Sequence, residues 1–354
     1  MEAASVTADA PRPPRTEAVW ELVSKYGLIV LLVTLPVVYA VVDLAQDGNL
    51  TRLGNNLVEG FSNGAILALI ALGYTLVYGI IELINFAHGE VFMMGALVSA
   101  GLWGTFGLTE TTGTFGLVLG LLATLILAMI ASGTLNTMIE RVAYRPLRNA
   151  PKLAPLITAV GMSFILQNVG VLWIGASQKS VPDLIRSQKE LFNVFGLSVS
   201  RGDLLAVVVT IPLVLLLTTF IARSRLGKAM RATAQDPEAS RLMGINVDTT
   251  ISLTFLLGGL LAGAAGLIST LYQTSIWYFQ GFSAGLYAFT AAVMGGIGNL
   301  RGAVLGALII GVIQGIVDNR VGNIWTPAFV FGYLILIMVF RPGGLIGEET
   351  REAG

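Results

Sequence analysis

The residues of this chain with the greatest chemical potential lie within or beside long apolar segments. His88 is the single histidine, and Glu90 follows it just inside an apolar segment. A carboxylate placed there costs on the order of a few kcal/mol unless it is paired or hydrated. Asn85 precedes both residues in the sequence INFAHGE, and Asn63 lies inside the preceding apolar segment. Because buried amides need hydrogen-bond partners, these side chains predict a polar path through an apolar protein.

A second interruption, GGIGNLRGAVLG at residues 295–306, occupies the place in the second half of the chain that residues 84–90 occupy in the first. Paired glycine-broken segments at matching positions point to a substrate pathway or gate in transporters. Two tight turns whose glycines only bend the chain are an equal alternative, and His88 by itself is also typical of a hydrogen-bonded structural histidine. The pathway hypothesis names Asn63, Asn85, His88, Glu90 and Asn299.

Composition excludes several kinds of chemistry. The chain has no cysteine and one histidine, so we expect neither thiol catalysis nor a metal site. Gly227 and Lys228 form the single Gly-Lys pair, but Ala229 follows where a nucleotide-binding P-loop needs serine or threonine. We found no catalytic motif, so we expect no enzyme and no cofactor bound by this chain. The dispersed basic residues and zero net charge predict no nucleic-acid surface.

Hydropathy predicts an all-α, polytopic transmembrane bundle. Of the 354 residues, 55% are hydrophobic, 12% are charged and 42 are glycine. Glycine is enriched where membrane helices approach closely. About 20 apolar residues span a bilayer, and this length gives eight to ten transmembrane helices because two of the ten segments are short. The segments are 28–45, 57–81, 86–107, 115–138, 153–174, 203–222, 249–272, 283–297, 302–317 and 325–340.

Charge asymmetry predicts the orientation. With the N-terminus in the cytoplasm, 15 Lys and Arg residues fall on the cytoplasmic side and six on the other, as the positive-inside tendency requires. Both termini are then cytoplasmic. We predict three parts: a flexible N-terminal arm (1–26), a transmembrane domain (27–342) that includes a cytoplasmic loop (223–248), and a cytoplasmic tail (343–354).

The loop at 223–248 has the features of a short helix outside the membrane. It carries five Lys and Arg residues between two apolar segments. Asp236 is placed to cap a helix that begins at Pro237, and Glu238 favours the positive end of the helix dipole. Gly244 can adopt the left-handed conformation that ends a helix. The pattern predicts one capped helix at 237–243 that binds a partner, although anchoring to anionic lipids would explain the charges alone.

Three stretches give the chain a family resemblance. NGAILALIALGYTLVYGIIELINFAHGEVFMMGA, LGKAMRATAQDPEASRLMGINV and MGGIGNLRGAVLGA, within residues 55–347, resemble the permease subunits of bacterial ATP-binding-cassette (ABC) importers for branched-chain amino acids. The resemblance implies a pore of two permeases, identical or homologous, with two cytoplasmic ATPases that bind ATP and an extracytoplasmic substrate-binding protein. It also implies that 236–244 is the coupling helix seated in an ATPase. The coupling residues are then Asp236, Pro237, Glu238, Arg241 and Gly244.

Two alternatives remain open from the sequence. Related permeases of this group serve urea, short amides or other small solutes, and the apolar lining with a few amides does not select among them. A carrier or channel driven by an ion gradient would need no soluble motif, but it would not explain a capped helix outside the membrane. A membrane scaffold without transport is a third, more distant reading.

Overall fold

The computed structural model describes residues 15–148, 150–151, 153–194 and 196–346. The first 14 residues of the predicted arm and the last eight residues of the predicted tail lie outside these ranges. Along the described residues the chain forms twelve α-helices, with a π-helical turn at Glu140–Tyr144 after the fourth. They are α1 Arg15–Gln46, α2 Thr51–Ile81, α3 His88–Thr105, α4 Thr114–Ile139, α5 Leu153–Ile174, α6 Arg201–Arg223, α7 Arg225–Gln235, α8 Pro237–Leu242, α9 Val247–Gln273, α10 Gln280–Gly295, α11 Leu300–Arg320 and α12 Thr326–Phe340.

The structure confirms the all-α class, and a helix occupies each of the ten predicted segments. Within the described residues, six helices are long and apolar enough to cross a membrane: α2, α4 with its extension to Leu147, α5, α6, α9 and α11. Two shorter apolar helices lie at Leu32–Gln46 and Thr326–Phe340. The predicted segment 302–317 is therefore a full-length helix, whereas 283–297 corresponds to the short α10 of 16 residues.

Glycine sets the distance between the central helices. The middle of α2 and nearly all of α9 are buried, and α11 packs along α2 through small residues. A Cβ atom added to Gly60 would lie 2.8 Å from the backbone oxygen of Gly311 and 2.8 Å from the Cα of Val312. On the other side, a Cβ on Gly266 of α9 would lie 2.6 Å from the backbone nitrogen of Ala96 in α3. Glycines therefore lie at the close contacts between these helices, as the high glycine content of the chain predicts.

Two helices begin in the interior of the bundle rather than at its ends. After α2 the chain is non-helical over 82–87 and α3 starts at His88; after α9 it is non-helical over 274–279 and α10 starts at Gln280. Both breaks are six residues long and both open with a left-handed residue, Glu82 (φ 51°) and Thr274 (φ 50°). The two halves therefore repeat a long helix followed by a short one.

The first turns of these two short helices contact each other. A Cβ on Gly285 of α10 would lie 2.9 Å from the Cα of Gly89, and one on Gly281 would lie 2.7 Å from the oxygen of Gly89. Since α3 continues toward the end of the bundle where α2 begins, and α10 toward the opposite end, the repeats are inverted. The sequence comparison of 84–90 with 295–306 therefore paired the wrong segments, because the structural counterpart of 82–87 is 274–279.

Short β-ladders close one end of the bundle. Strands β2 (Glu190–Val194) and β3 (Leu197–Ser200) form a hairpin, and β1 (Lys179–Ser180) pairs antiparallel with β4 (Ser275–Ile276). The second ladder ties the break before α10 to the segment between α5 and α6. We call this end the far end and the opposite one, where α8 lies, the α8 end.

Candidate functional site

The loop at the α8 end has the predicted capped helix. The Asp236 side chain accepts hydrogen bonds from the backbone N–H groups of Glu238 (2.8 Å) and Ala239 (2.9 Å), and Pro237 is the first residue of α8. Gly244 has φ +81°, the left-handed conformation expected of the residue that ends a helix. The predicted helix at 237–243 is confirmed, with Leu242 as its last residue. It was predictable from the sequence because each capping signal acts within one turn of the chain.

The sequence reading missed the longer helix α7 that leads into α8. The hydroxyl of Ser224 accepts the N–H of Gly227 and starts α7 directly after α6. A Cβ on Gly227 would lie 2.7 Å from the Cα of Ile221, and the Arg231 guanidinium donates to the Ile221 carbonyl oxygen at 2.5 Å. Ser-x-x-Gly was the available signal for this helix start, because serine is a common N-cap. The tight contact makes α7 a rigid base for α8.

The outer surface of α8 is apolar where it faces away from the bundle. Leu242 is 89% exposed and Met243 82% exposed, whereas Ser240 is buried against the bundle. Glu238 and Arg241 are exposed beside them. Exposed leucine and methionine side chains at the end of a short helix outside the apolar spans are typical of protein contact sites. We call Glu238, Arg241, Leu242 and Met243 the α8 surface.

A network of charges joins the π-helical turn after α4, and the residues that follow it, to the beginning of α9. Glu140 is fully buried and pairs with Arg148, while the other oxygen of its carboxylate accepts the Ser252 hydroxyl at 2.6 Å. Arg148 also donates to Asp248 at 2.6 Å, and Arg145 donates to the same carboxylate at 2.7 Å. Arg148 and Glu140 are only eight residues apart, whereas the contacts to Asp248 and Ser252 join residues 100 or more positions apart, which the sequence does not reveal.

A large cavity of about 910 Å³ lies at the α8 end, between α2, α6, α7, α10, α11 and α12. Asn299 lines it. The Asn299 side chain also caps α11, accepting from Arg301 N (3.0 Å) and Gly302 N (3.1 Å), and its amide donates to the Ile346 carbonyl (2.9 Å). The 296–299 segment is therefore a capped turn beside a cavity, as the turn interpretation predicts, and its part in a substrate pathway stays a prediction.

A smaller cavity of about 280 Å³ lies at the far end, between α2, α9, α10 and α11. Asn63 lines it, as the pathway hypothesis places it. Ile70 and Phe92 form part of its apolar wall. Sequence reasoning did not select the other polar residues of this cavity as pathway residues, because three glutamines on three different helices form no local motif. These polar residues include Gln273, Gln280, Gln314 and Asp318.

Aromatic rings separate the two cavities along α2. The small cavity reaches Ile70 and the large one begins at Thr75. Between them, Tyr74 packs edge-on against His88, with 4.9 Å between ring centroids, and lies 6.1 Å from the ring of Phe289. A void of about 10 Å³ remains beside Tyr74 and Asn85. The two cavities are therefore separate, with these rings packed between them.

Two other predicted pathway residues, Asn85 and His88, lie beside Tyr74. The Asn85 amide donates to Asn136 (3.2 Å) and accepts from the Tyr144 hydroxyl (3.1 Å), and Asn136 donates to the Phe255 carbonyl (2.6 Å). The His88 ring fills space that side chains at Gly73 and Gly258 would occupy. Asn85 therefore joins the break before α3 to α4 and α9.

Glu90 lies where the first turns of α3 and α10 meet. One carboxylate oxygen accepts from Ser163 (3.1 Å) and from Gln167 (2.9 Å) of α5, and the other lies 2.5 Å from the position of a Cβ on Gly281. The N-terminal ends of both helices favour a negative group at this point. Glu90 and His88 line neither of the two cavities, so their part in a pathway stays a prediction.

The fold defines a multi-pass helical membrane protein with a cavity toward each end. Residues 56–339 match the family model described as "Branched-chain amino acid transport system / permease component". This chain therefore belongs to that family of permease components. The high-affinity branched-chain amino acid permease protein BraD of Pseudomonas aeruginosa is 42% identical over 84% of this chain and 96% of its own. LivH of Escherichia coli K12 is 40% identical with the same coverage. The probable LivH of Methanocaldococcus jannaschii is 28% identical over 86% of this chain and 96% of its own.

Proposed function

We propose that this chain is the membrane-spanning subunit of an ABC importer that moves branched-chain amino acids into the cytoplasm. Its partners in this proposal are a second permease subunit, two cytoplasmic ATPases and an extracytoplasmic substrate-binding protein. The names of the relatives support the substrate class. The observation that carries the mechanism is the α8 surface, a capped helix outside the apolar spans that exposes Leu242 and Met243.

In this mechanism the ATPases hold α8, and their closure on ATP displaces it. Four residues separate α8 from α9, and Asn246 caps α9 by accepting the N–H of Thr249 at 3.0 Å. A displacement of α8 therefore reaches α9 with little slack. Because α9 packs against α2, α3 and α4 through glycine contacts, the wall between the two cavities moves with it. The pathway then opens alternately to each side.

The proposed orientation places the α8 end and both termini in the cytoplasm of a bacterium. The 15 to 6 distribution of Lys and Arg supports this orientation, and the α8 loop carries five of the 15. The small cavity at the far end then faces the substrate-binding protein. Solute would enter there, pass the Tyr74 and His88 rings, and leave through the large cavity lined by Asn299 and Arg301.

Placing acidic side chains on the α8 surface is expected to detach the ATPases. The double variant Leu242→Asp, Met243→Asp buries two charges in an apolar contact, which should weaken binding by roughly 30-fold or more, as loss of a hot spot of about 2 kcal/mol does. Co-purification of the ATPases with the permease and uptake of labelled leucine into proteoliposomes with ATP measure the effect. Both should be lost while the variant still inserts in the membrane.

The matched control is Ile324→Asp, since Ile324 is 87% exposed but lies at the far end between α11 and α12. This variant should keep its ATPases.

Disrupting the cap and the helix end by Asp236→Ala with Gly244→Pro should also abolish ATP-dependent uptake. If the Leu242→Asp, Met243→Asp variant and the Asp236→Ala, Gly244→Pro variant both transport leucine at the wild-type rate, the coupling assignment is wrong. Uptake that follows an ion gradient without ATP would instead establish the gradient-driven carrier.

A further inference from the structure

The small cavity at the far end has the polarity of a binding site for a zwitterion. Its volume of about 280 Å³ lies near the lower end of the range for ligand pockets, about 300–1,000 Å³, so it suits a small solute. Ile66, Leu67 and Phe92 line one part of it, and amide and carboxylate side chains line another. An apolar wall beside a polar one matches a solute with an aliphatic side chain and charged groups.

Asp318 is the carboxylate of this cavity. One of its oxygens accepts the hydroxyl of Thr326, at the start of α12, and the residue as a whole lines the cavity. The Asp318 residue is exposed rather than buried in the bundle, and the described residues provide no ion pair for it. A carboxylate in such a place attracts a cation that enters the cavity. A neutral solute such as urea would make no use of its charge.

Gln280 supplies a donor that the fold leaves unused. The carbonyl oxygen of its amide accepts the backbone N–H of Trp277 at 3.2 Å, so the NH₂ group is the free end of the amide. That nitrogen is buried and has no hydrogen-bond partner in the described structure. A buried donor without a partner carries a penalty that a bound acceptor removes. Because Gln280 lines the cavity, a rotation of its side chain would bring this unused donor to a carboxylate oxygen of a solute.

The first turn of α10 does not serve the solute in the same way. Glu90 already lies beside Gly281 from the opposite side of α10, so its carboxylate uses the positive end of that helix. The negative group of a solute is therefore left to side-chain amides. Besides Gln280, the cavity offers Asn63, Gln273 and Gln314 for this purpose.

We infer that the small cavity binds the amino acid during import, with Asp318 contacting the α-ammonium group, Gln280 contacting the α-carboxylate and the Ile66, Leu67 and Phe92 wall contacting the aliphatic side chain. This inference takes the identity of the substrate from the proposed function and adds a binding site for it. It selects a zwitterionic amino acid over urea and neutral amides, which the sequence left open.

Asp318→Asn tests the inference because asparagine keeps an acceptor for Thr326 and removes only the charge. The variant is expected to lower ATP-dependent leucine uptake by about tenfold or more, since a hydrogen bond to a charged group is lost. Glu59→Gln is the matched control: Glu59 is a carboxylate near the same end of α2, bonded to Asn319 (2.7 Å), and it does not line the cavity. Equal uptake by Asp318→Asn and wild type would overturn the site.

A thiol reporter separates the site from the transport function, because the native chain has no cysteine. Ser283 lines the cavity, so Ser283→Cys in the purified complex can be labelled with a membrane-impermeant maleimide. Millimolar leucine should slow labelling several-fold, whereas 4-methylpentanoate, which lacks the ammonium group, should not. Adding Asp318→Asn should abolish protection by leucine.

Equal labelling rates with and without leucine would overturn the binding site even if the complex imports leucine. Protection by leucine in a complex that imports no branched-chain amino acid would support the site and contradict the proposed function. Equal protection by leucine and 4-methylpentanoate would overturn the role of Asp318.

Discussion

Replacement of Arg148 by alanine is expected to lower the free energy of unfolding by about 3–5 kcal/mol, the cost of leaving a buried charge without its partner. Glu140 has no exposed surface, and Arg148 is the cation that pairs with it. The hydroxyl of Ser252 alone then remains beside the carboxylate. Thermal unfolding of the purified chain in detergent measures the loss as a lower midpoint.

Arg145→Ala is the matched control for the same network. Arg145 also pairs with Asp248, but the two side chains are 49% and 43% exposed, so the pair contributes about 0–1 kcal/mol. A second variant tests the mechanism: Glu140→Gln in the Arg148→Ala background removes the unpaired charge and should recover most of the lost stability. An equal loss from Arg145→Ala and Arg148→Ala would show that burial of Glu140 does not govern the effect.

Gly60→Ala is expected to destabilise the contact between α2 and α11 by about 1–3 kcal/mol, as overpacking does in a close-packed interior. The new methyl group would lie 2.8 Å from the Gly311 oxygen and 2.8 Å from the Cα of Val312. Both are backbone atoms, so no side chain can rotate away and the helices must separate. A lower unfolding midpoint in detergent, with less folded protein in the membrane, is the measurement.

Gly332→Ala provides the control for the glycine seam. Gly332 lies in the apolar helix α12, and a Cβ there meets no atom within 4 Å. Alanine favours helix over glycine by roughly 1 kcal/mol, so this variant should match or slightly exceed wild-type stability. If Gly60→Ala behaves as Gly332→Ala does, α2 and α11 are not held at the distance that the structure shows.

The features that depend on near neighbours in the chain were predictable. Each of the ten predicted apolar segments contains a helix in the structure. A run of about 20 apolar residues favours a membrane span whatever the packing of the other helices. The α8 cap also depends on residues within one turn, from Asp236 to Ala239. The start of α7 at Ser224 was missed although its signal is equally local. Its polar sequence gave no apolar run to mark it.

The inner ends of the short helices were not predictable. The segments 86–107 and 283–297 were identified as apolar, but hydropathy does not reveal that α3 and α10 begin inside the bundle and contact each other there. Glu90 shows the consequence. Its cost in an apolar segment was evident from the sequence, whereas its partners Ser163 and Gln167 lie more than 70 residues away. Pairing at that separation follows from packing and not from spacing.

The sequence by itself determined that this chain is a helical membrane protein, where its ten apolar helices lie along the chain, that α8 is capped at both ends, and which family the three motifs indicate. Hydropathy, helix capping and glycine content act locally, so they can be read from neighbouring residues. Only the tertiary structure decided which polar residues share a cavity, which charges are buried, and which segments are equivalent in the two halves. Gln280, Asp318 and Asn63 come together because α2, α10 and α11 pack at glycine-defined distances.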